Sequence, residues 1–430
     1  MTFSERLLFF TVFFIILSIL QSVTFKALWD LIKSNSKISK NRFITFTVAV
    51  LLVFNIPFIL MVLLKFDLSA LPDWFYKIFI VPFFIYQAAM FFIGIVIIIY
   101  KILEAPFKYS FLLLNKFSFL NKIFDKIKSN KRTAEFDKSR RAFITSAGIF
   151  VAGYAFIGAG VGAIRKDEYE ITRFDLSFKN LPPELKGTKI TLVTDIHSGP
   201  YMSETNLFEY VEVINNLNSD IILISGDHTN SNKDEVFPLV NAYKRLYAPE
   251  GIFATLGNHD YFSDAEFISN VISNESPVKM LRNSAELLKI NGQPLIILGS
   301  DDTRDSGTKS NPVIYKYINK AEDNARKIAG LHSVDYDSTK KILVYHKPYI
   351  FDEIDDKKFD LIASGHTHGG QVVFAKLGEK NLSIAASISR YISGLYTLEN
   401  SQMYVSRGIG TVGLPIRVNC PPEISQFTLV

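Results

Sequence analysis

The sequence predicts an α/β domain preceded by an all-α transmembrane region, and three observations support this division. The apolar residues, which make up 48% of the chain, are concentrated before residue 165. In that part, four uncharged runs are long enough to cross a membrane. In the second part, short runs rich in Ile, Leu and Val precede polar turns, which is typical of buried strands in an α/β sheet. We therefore predict two domains, residues 1–165 and 166–430.

The four uncharged apolar runs are Leu7–Phe25, Phe43–Leu64, Ile78–Tyr100 and Ala142–Ile164. Each has roughly 19 to 23 residues, which is enough for a helix to cross a hydrocarbon core of about 30 Å. Buried helices of a soluble domain would need polar faces, and these runs lack them. We therefore predict about four transmembrane helices.

The basic residues predict how this region is oriented. The segment from Lys26 to Arg42 carries five basic residues and one acidic residue, and the segment from Lys101 to Arg141 carries eleven and four. The short link from Lys65 to Lys77 carries two of each. Because Lys- and Arg-rich links stay in the cytoplasm, we expect a multi-pass membrane protein whose domain after Ile164 is extracytoplasmic.

Composition also limits the partners and the chemistry. The net charge of +5 comes from basic residues that cluster beside the apolar runs, so we expect no nucleic-acid partner. The single cysteine, Cys420, excludes an intrachain disulfide and a thiolate zinc cluster.

Two segments of the membrane region each leave two interpretations open. Apolar residues recur at near-helical spacing among lysines over Phe107–Phe124, which predicts either an amphipathic helix bound to membrane lipids or a plain linker. Ser139–Ile144 resembles a twin-arginine export signal, although it is internal. Alternatively, its two arginines only anchor the fourth run in the cytoplasm. Both alternatives place the following domain outside.

A repeated pattern marks the second domain, in which an apolar run is followed at once by a side chain that can bind a metal ion. Five runs end in this way, and six of the seven histidines lie at or beside such ends. The residues concerned are Asp195, His197, Asp227, Asn258, His346, His366 and His368, with His228 and His259 beside them. Since α/β sheets place ligands at the carboxyl ends of their strands, we expect one shared site.

The donor atoms indicate which ions would bind. They are oxygen and nitrogen without sulfur, which suits Mn, Fe, Zn or Co. Seven donors are too many for one tetrahedral ion, whereas two ions that share a carboxylate would use about this number. Two ions roughly 3.5–4 Å apart hold the attacking and leaving oxygens of a phosphoryl displacement.

At this point the motifs resemble a known family, the calcineurin-like metallophosphoesterases. The matching residues are Asp195-x-His197, Gly226-Asp227, Gly257-Asn258-His259-Asp260, His346 and Gly365-His366-x-His368. The following Gly369-Gly370-Gln371 is similar to a bacterial, membrane-associated subgroup. The resemblance covers about residues 170–430. It implies an α/β fold of two packed mixed β-sheets flanked by helices, and a location in the bacterial inner or cytoplasmic membrane.

The resemblance also implies a role for each position. Asp195, His197 and His368 would hold one divalent ion, Asn258, His346 and His366 would hold a second, and Asp227 would bridge the two. His259 would contact the phosphate and protonate the leaving oxygen. Asp260 would orient the His259 ring.

Four residues near these motifs need separate interpretations. Asn230 stands where the family often has Asp, which should not abolish metal binding. For His228 we favour a solvent-facing side chain or one at the substrate rim over a ligand. Arg304 would contact a substrate phosphate or, as we favour, lie on an exposed turn that also includes Asp305. Arg407 is a weaker substrate-binding candidate.

The sequence therefore predicts a membrane-anchored, two-metal hydrolase of phosphomono- or phosphodiesters, in which metal-activated water attacks phosphorus. Its location alone favours a lipid or envelope-linked substrate. The alternative is a non-catalytic membrane receptor or scaffold that retains the fold, but all ligand positions and His259 are present. A transporter would need charged residues inside the spans, and the four runs contain none. Nucleic acid as a hydrolysed substrate, the metal pair and the oligomeric state stay open.

Overall fold

A computed structural model describes residues 3–33, 38–63, 73–114, 131–304, 312–377, 380–383, 385–387 and 389–430. The chain forms two compact units, one up to Ala163 and one from Ile164 to Val430.

The described residues of the first unit form helices. The four predicted runs lie in them, apart from Leu64, which is outside the described residues. The long helices span Phe3–Ile32, Lys40–Leu63, Val81–Leu114 and Lys131–Ile164. A short helix, Asp73–Phe75, and a π-helical turn, Tyr76–Ile80, lead into the third. By length and composition, the described residues contain four helices that can cross a membrane. The beginning of the predicted amphipathic segment continues the third helix to Leu114, and residues 115–124 lie outside the described residues.

Three amide side chains join the first three long helices of this unit. Gln21 Nε2 donates to Gln87 Oε1 at 2.6 Å, Gln87 Nε2 donates to Asn55 Oδ1 at 2.8 Å, and Asn55 Nδ2 donates to Gln21 Oε1 at 3.2 Å. The three amides therefore form a closed ring of hydrogen bonds, in which Gln21 and Gln87 are buried. In a membrane such a ring stabilises helix association because lipid offers no alternative partner.

The second unit contains two six-stranded mixed sheets and a hairpin. The first sheet has the order β1-β14-β2-β3-β4-β5, the second has the order β12-β13-β9-β8-β7-β6, and β10 pairs with β11. The strands are β1 Glu170–Leu176, β2 Lys189–Val193, β3 Ile221–Ser225, β4 Ile252–Thr255, β5 Val278–Met280, β6 Ser284–Ile290, β7 Gln293–Gly299, β8 Lys340–Val344, β9 Leu361–Ser364, β10 Val373–Leu377, β11 Lys380–Ser383, β12 Gly394–Thr397, β13 Gln402–Val405 and β14 Glu423–Leu429. Strands β2 to β5 run parallel, as do β7, β8, β9 and β13.

The two sheets pack face to face with helices on their outer faces, which confirms the predicted fold. One core cluster combines Leu192 and Leu223 of the first sheet with Ile297 and Ile342 of the second. The outer face of the first sheet packs against helices Glu204–Asn216, Val236–Tyr243 and Ala265–Glu275. The outer face of the second sheet packs against Pro312–Leu331. Continuous burial on both faces explains why β3 and β4 are apolar up to their last residues, Ser225 and Thr255.

Candidate metal centre

Five strand ends bring the predicted ligands to one place at the edge of the two sheets. In the first sheet, Asp195 and His197 follow β2, Asp227 follows β3, and Asn258 begins the helix Asn258–Ser263 after β4. In the second sheet, His346 follows β8, and His366 and His368 follow β9. The parallel strands of both sheets have their carboxyl ends on this side of the domain, so both sheets contribute ligands. The site therefore lies across the two sheets and depends on their packing.

One group of side chains surrounds the first candidate metal position. His368 Nε2 lies 3.1 Å from His197 Nε2 and 3.3 Å from Asp195 Oδ1. All three side chains are buried, and their ligand atoms lie within 4.8 Å of one another. Two imidazoles and a carboxylate aimed at one point form a metal-binding group with oxygen and nitrogen donors.

A second group lies beside it and shares one carboxylate with the first. His346 Nε2 lies 3.1 Å from Asp227 Oδ2 and 3.3 Å from His366 Nδ1. The same Asp227 Oδ2 lies 3.6 Å from His197 Nε2 of the first group. One oxygen atom therefore faces both groups, which is the arrangement that a bridging ligand needs.

Backbone strain is concentrated at these ligands. Asp195, His197, Asp227, His366 and His368 all have a φ between 49° and 73°. A residue with a Cβ pays about 1–2 kcal/mol in this left-handed region, and such strain clusters at functional sites. The surrounding hydrogen bonds hold the conformation, for example the His366 N–H that donates to Asp195 Oδ2 at 2.9 Å.

Burial favours the neutral imidazole, which is the form that binds a metal ion. Burial lowers the pKa of His197 to about 3 and, with neighbouring histidines, holds the pKa of His366 and His368 well below the usual value. His346 differs, because the Asp227 carboxylate outweighs burial and raises its pKa to about 10. A metal ion at the second group would replace the proton that His346 otherwise carries.

Two further observations fit bound ions. Asn258 is buried, and its Oδ1 has no hydrogen-bond partner among the residues described, as expected for an oxygen reserved for a metal ion. Gly365 also allows close approach, because a Cβ there would lie 2.2 Å from Asp195 Oδ2. The residues present therefore suit two divalent ions.

His259 lies at the half-exposed mouth of the site, beside both groups. Its ring centroid is 4.6 Å from that of His197, and its backbone N–H donates to Asp227 Oδ1 at 2.8 Å. Its Nδ1 bonds to the backbone carbonyl of Asn230 at 2.5 Å. Nε2 is therefore the ring nitrogen that can exchange a proton with a substrate.

The prediction that Asp260 orients the His259 ring is wrong, because the Asn230 carbonyl has that position. The Asp260 carboxylate instead accepts backbone N–H groups of Gly257 at 2.9 Å, His228 at 3.3 Å and Thr229 at 3.0 Å. Asp260 thus fixes the loop that follows β3 against the loop that follows β4.

The structure also corrects two predictions for side chains outside the ligand set. His228 is buried, not solvent-facing or at the rim, and its ring bonds to the Tyr243 hydroxyl and the Thr255 carbonyl, both at 2.9 Å. Arg407 pairs with Glu423 at 3.0 Å and Glu170 at 2.9 Å, so carboxylates of the protein already hold its guanidinium. Arg304 is exposed, as favoured, and Asp305 lies outside the described residues.

Three side chains support the loop with His366 and His368, and sequence reasoning missed two of them, Arg417 and Tyr349. Buried Arg417 donates to the backbone carbonyls of Arg407 and Gly408 at 2.9 and 3.1 Å, and its Nη2 lies 3.4 Å from His368 Nδ1. The Tyr349 ring lies edge-on to His366, at 5.5 Å between centroids. The Gln371 amide donates to the Leu414 carbonyl at 2.8 Å. Arg417 and Tyr349 stand in no recognisable motif, and so no local signal marks them.

Comparison with known proteins agrees with this geometry. Residues 188–370 match the Calcineurin-like phosphoesterase family. An uncharacterized metallophosphoesterase of Aquifex aeolicus is 30% identical over 263 residues, which are 60% of this chain and 91% of that protein. An uncharacterized metallophosphoesterase of Bacillus subtilis is 28% identical over 301 residues, which are 68% of this chain and 97% of that protein. The chain belongs to the calcineurin-like phosphoesterases, a family of metal-dependent phosphoester hydrolases.

A relative from an animal shares the same region. A Bos taurus protein named "Transmembrane protein with metallophosphoesterase domain" is 28% identical over 276 residues, which are 60% of this chain and 56% of that protein. The chain therefore spans little more than half the length of that relative.

Proposed function

We propose that this protein is a membrane-anchored phosphoesterase that hydrolyses phosphomono- or phosphodiesters at a binuclear metal centre. The observation that carries the proposal is the shared Asp227 Oδ2, which faces His197 Nε2 at 3.6 Å and His346 Nε2 at 3.1 Å. A single-ion site needs no such sharing, whereas a two-ion site does.

The described residues would hold two divalent ions drawn from Mn, Fe, Zn and Co. Asp195, His197 and His368 would hold one ion, Asn258, His346 and His366 would hold the other, and Asp227 would contact both. When bound, two such ions lower the pKa of a water molecule and neutralise charge on the phosphoryl oxygens.

The chain's own contribution to bond cleavage is proton transfer by His259. The Asn230 carbonyl bonds to Nδ1, which leaves Nε2 to donate a proton to the leaving oxygen. The His259 ring and the His366 ligand are half-buried, so a substrate reaches them from solvent while the other six ligands stay buried.

The membrane helices support a substrate that is itself lipid or envelope-linked. Four helices that can cross a membrane by length and composition would anchor the domain beside membrane lipids. The basic segments Lys26–Arg42 and Lys101–Arg141 support an extracytoplasmic domain in a bacterial inner or cytoplasmic membrane. Alkaline phosphatase and fluorescent-protein fusions after residues 130 and 170 test this topology. We expect them to report opposite sides, and two cytoplasmic reports would contradict it.

Hydrolysis of bis-p-nitrophenyl phosphate and p-nitrophenyl phosphate by the full chain with added Mn²⁺ tests the activity. We expect His366→Ala to abolish turnover, and His332→Ala, which changes an exposed histidine, to leave it intact. No turnover by the wild type with both sites loaded would instead support a non-catalytic scaffold. Unchanged turnover in His366→Ala would refute the proposed site.

A further inference from the structure

The loop that follows β3 is held in an unusual way, because two carboxylates bind five consecutive backbone N–H groups. Asp260 accepts those of His228 and Thr229 at 3.3 and 3.0 Å. Glu235 Oε2 accepts the next three, from residues 230, 231 and 232, at 2.9, 2.7 and 3.0 Å. The main chain between the two carboxylates therefore has little freedom to rotate.

This loop carries the acceptor that orients His259. The Asn230 carbonyl bonds to His259 Nδ1 at 2.5 Å, and the N–H of the same residue donates to Glu235. The Asn230 side chain does not take part, since its amide donates to the Ser231 hydroxyl at 3.2 Å. The direction of the carbonyl is thus set by the main chain.

Glu235 does more than cap a helix. It closes a capping box with Asn232 at the 3₁₀-helix Lys233–Glu235, and an ordinary capping box satisfies only one N–H with its glutamate. Its other oxygen lies where a Cβ on Gly199 would be 2.7 Å away. Its backbone carbonyl accepts the Ser198 hydroxyl at 2.7 Å. Glu235 therefore joins the loop that carries Asp195 and His197 to the loop that orients His259.

We propose that Glu235 is a positioning residue for proton transfer: it fixes the Asn230 carbonyl and, through it, the His259 ring that protonates the leaving oxygen. The inference rests on the proposed function and adds a residue outside the metal ligands. Without the three N–H bonds to Glu235, the Asn230 N–H keeps only its bond to the Ser198 carbonyl at 3.0 Å. The Asn230 carbonyl is then held less firmly, and His259 loses alignment with the leaving group. Residues that orient a catalytic group in this way typically contribute about 10- to 100-fold to activity.

Leaving-group dependence separates this role from a general structural one. A p-nitrophenolate leaves without a proton, whereas a phenol of higher pKa needs an acid. We would measure kcat for Mn²⁺-loaded full chain on aryl phosphodiesters whose leaving phenols span a range of pKa. We expect a shallow dependence for the wild type and a steep one for Glu235→Ala and His259→Ala. Glu235→Gln, which keeps one acceptor oxygen, should lie between, and Glu235→Ala with His259→Ala should be no steeper than His259→Ala alone.

The control is Asp335→Asn, because the Asp335 carboxylate also accepts two backbone N–H groups, those of Asp337 and Ser338 at 3.3 Å, but in the turn before β8. It should keep the wild-type slope. Equal rate losses for all leaving groups in Glu235→Ala, or a wild-type slope in a folded Glu235→Ala protein, would overturn the role of Glu235. A wild-type slope in His259→Ala would instead refute proton transfer by His259 and thus the proposed function.

Discussion

Gly257 lies against the shared carboxylate so closely that a single methyl group should displace it. A Cβ at this position would lie 2.2 Å from Asp227 Oδ1 and 2.5 Å from the Asp227 backbone nitrogen. Contacts below 3.0 Å essentially never occur for a Cβ, so Gly257→Ala must push the carboxylate away by about 0.8 Å or more. Rotation of the side chain alone cannot relieve the contact, because the main chain of Asp227 is also too close.

The expected size of the effect follows from this displacement. A shift of about 1 Å in a catalytic geometry reduces rates by about 100-fold, and overpacking of a buried site lowers the free energy of unfolding by about 1–3 kcal/mol. Since Asp227 Oδ2 faces both groups of ligands, both metal positions should lose affinity together. We therefore expect Gly257→Ala to bind fewer ions and to hydrolyse bis-p-nitrophenyl phosphate about 100-fold more slowly.

The assay combines kcat, the number of ions per chain by elemental analysis, and thermal unfolding of the metal-free protein. Gly330→Ala is the matched control, because no heavy atom lies within 4 Å of a Cβ built there. At this exposed helical position alanine should stabilise by about 0.5–1 kcal/mol and leave kcat unchanged. A folded Gly257→Ala protein with the wild-type kcat and ion content would refute the reasoning.

Three further predictions concern groups around the centre and in the helical unit. Metal binding near pH 7 should release a proton, because Asp227 raises the pKa of His346 to about 10, and the metal affinity should therefore rise with pH. Calorimetry in two buffers with different ionisation enthalpies measures the proton release. Metal binding without proton release would contradict the prediction. Arg417→Met should lower the free energy of unfolding by about 3 kcal/mol or more, because it removes the hydrogen bonds of a charged group to backbone carbonyls. Denaturant unfolding measures this free energy, and Arg173→Met, at an exposed arginine, is the control. Gln87→Leu should destabilise the helical unit by about 1–2 kcal/mol in detergent, because it breaks the amide ring; an unchanged unfolding midpoint would show that the ring contributes nothing.

The strand ends could be predicted because their signals are local. An apolar run such as Ile221–Ser225 must be buried, and an aspartate directly after it must lie at the sheet edge. The structure places six of the seven predicted ligands in two adjoining groups at this edge. The seventh, Asn258, follows β4 at the same edge, and its buried oxygen without a partner among the described residues fits a ligand. The prediction that two sheets pack on each other rested on the family resemblance. Apolar runs alone do not show which strands pair or which sheet each strand joins.

Other elements left weaker signals. The helix Pro312–Leu331 buries Ile314 and Ile318 in its first half but only Ala321, Ala325 and Ala329 in its second half, so its buried face leaves a weak apolar signal. Strand β6 mixes buried, partly exposed and exposed residues without regular alternation, and it is an edge strand that pairs with β7.

The incorrect predictions share a physical cause. In each case the partner of the side chain is either a main-chain group or a residue distant in sequence. The acceptor for His259 is the carbonyl of Asn230, and a carbonyl is present at every residue. Arg407 is paired by Glu170 and Glu423, which belong to strands at the two ends of the domain. His228 follows Asp227 directly, but its ring points into the core towards Tyr243. Residue type at one position does not encode such partners.

The central claim is that two metal ions share the Asp227 carboxylate, and electron paramagnetic resonance of the Mn²⁺-loaded protein tests it most directly. We predict an exchange-coupled pair of Mn²⁺ ions in the wild type, because one Asp227 oxygen faces both ligand groups. Asp227→Asn should reduce or abolish the coupling between the two Mn²⁺ ions. The control variant His332→Ala should keep the wild-type coupling. A spectrum of isolated Mn²⁺ ions in wild-type protein that binds two ions per chain would contradict the claim.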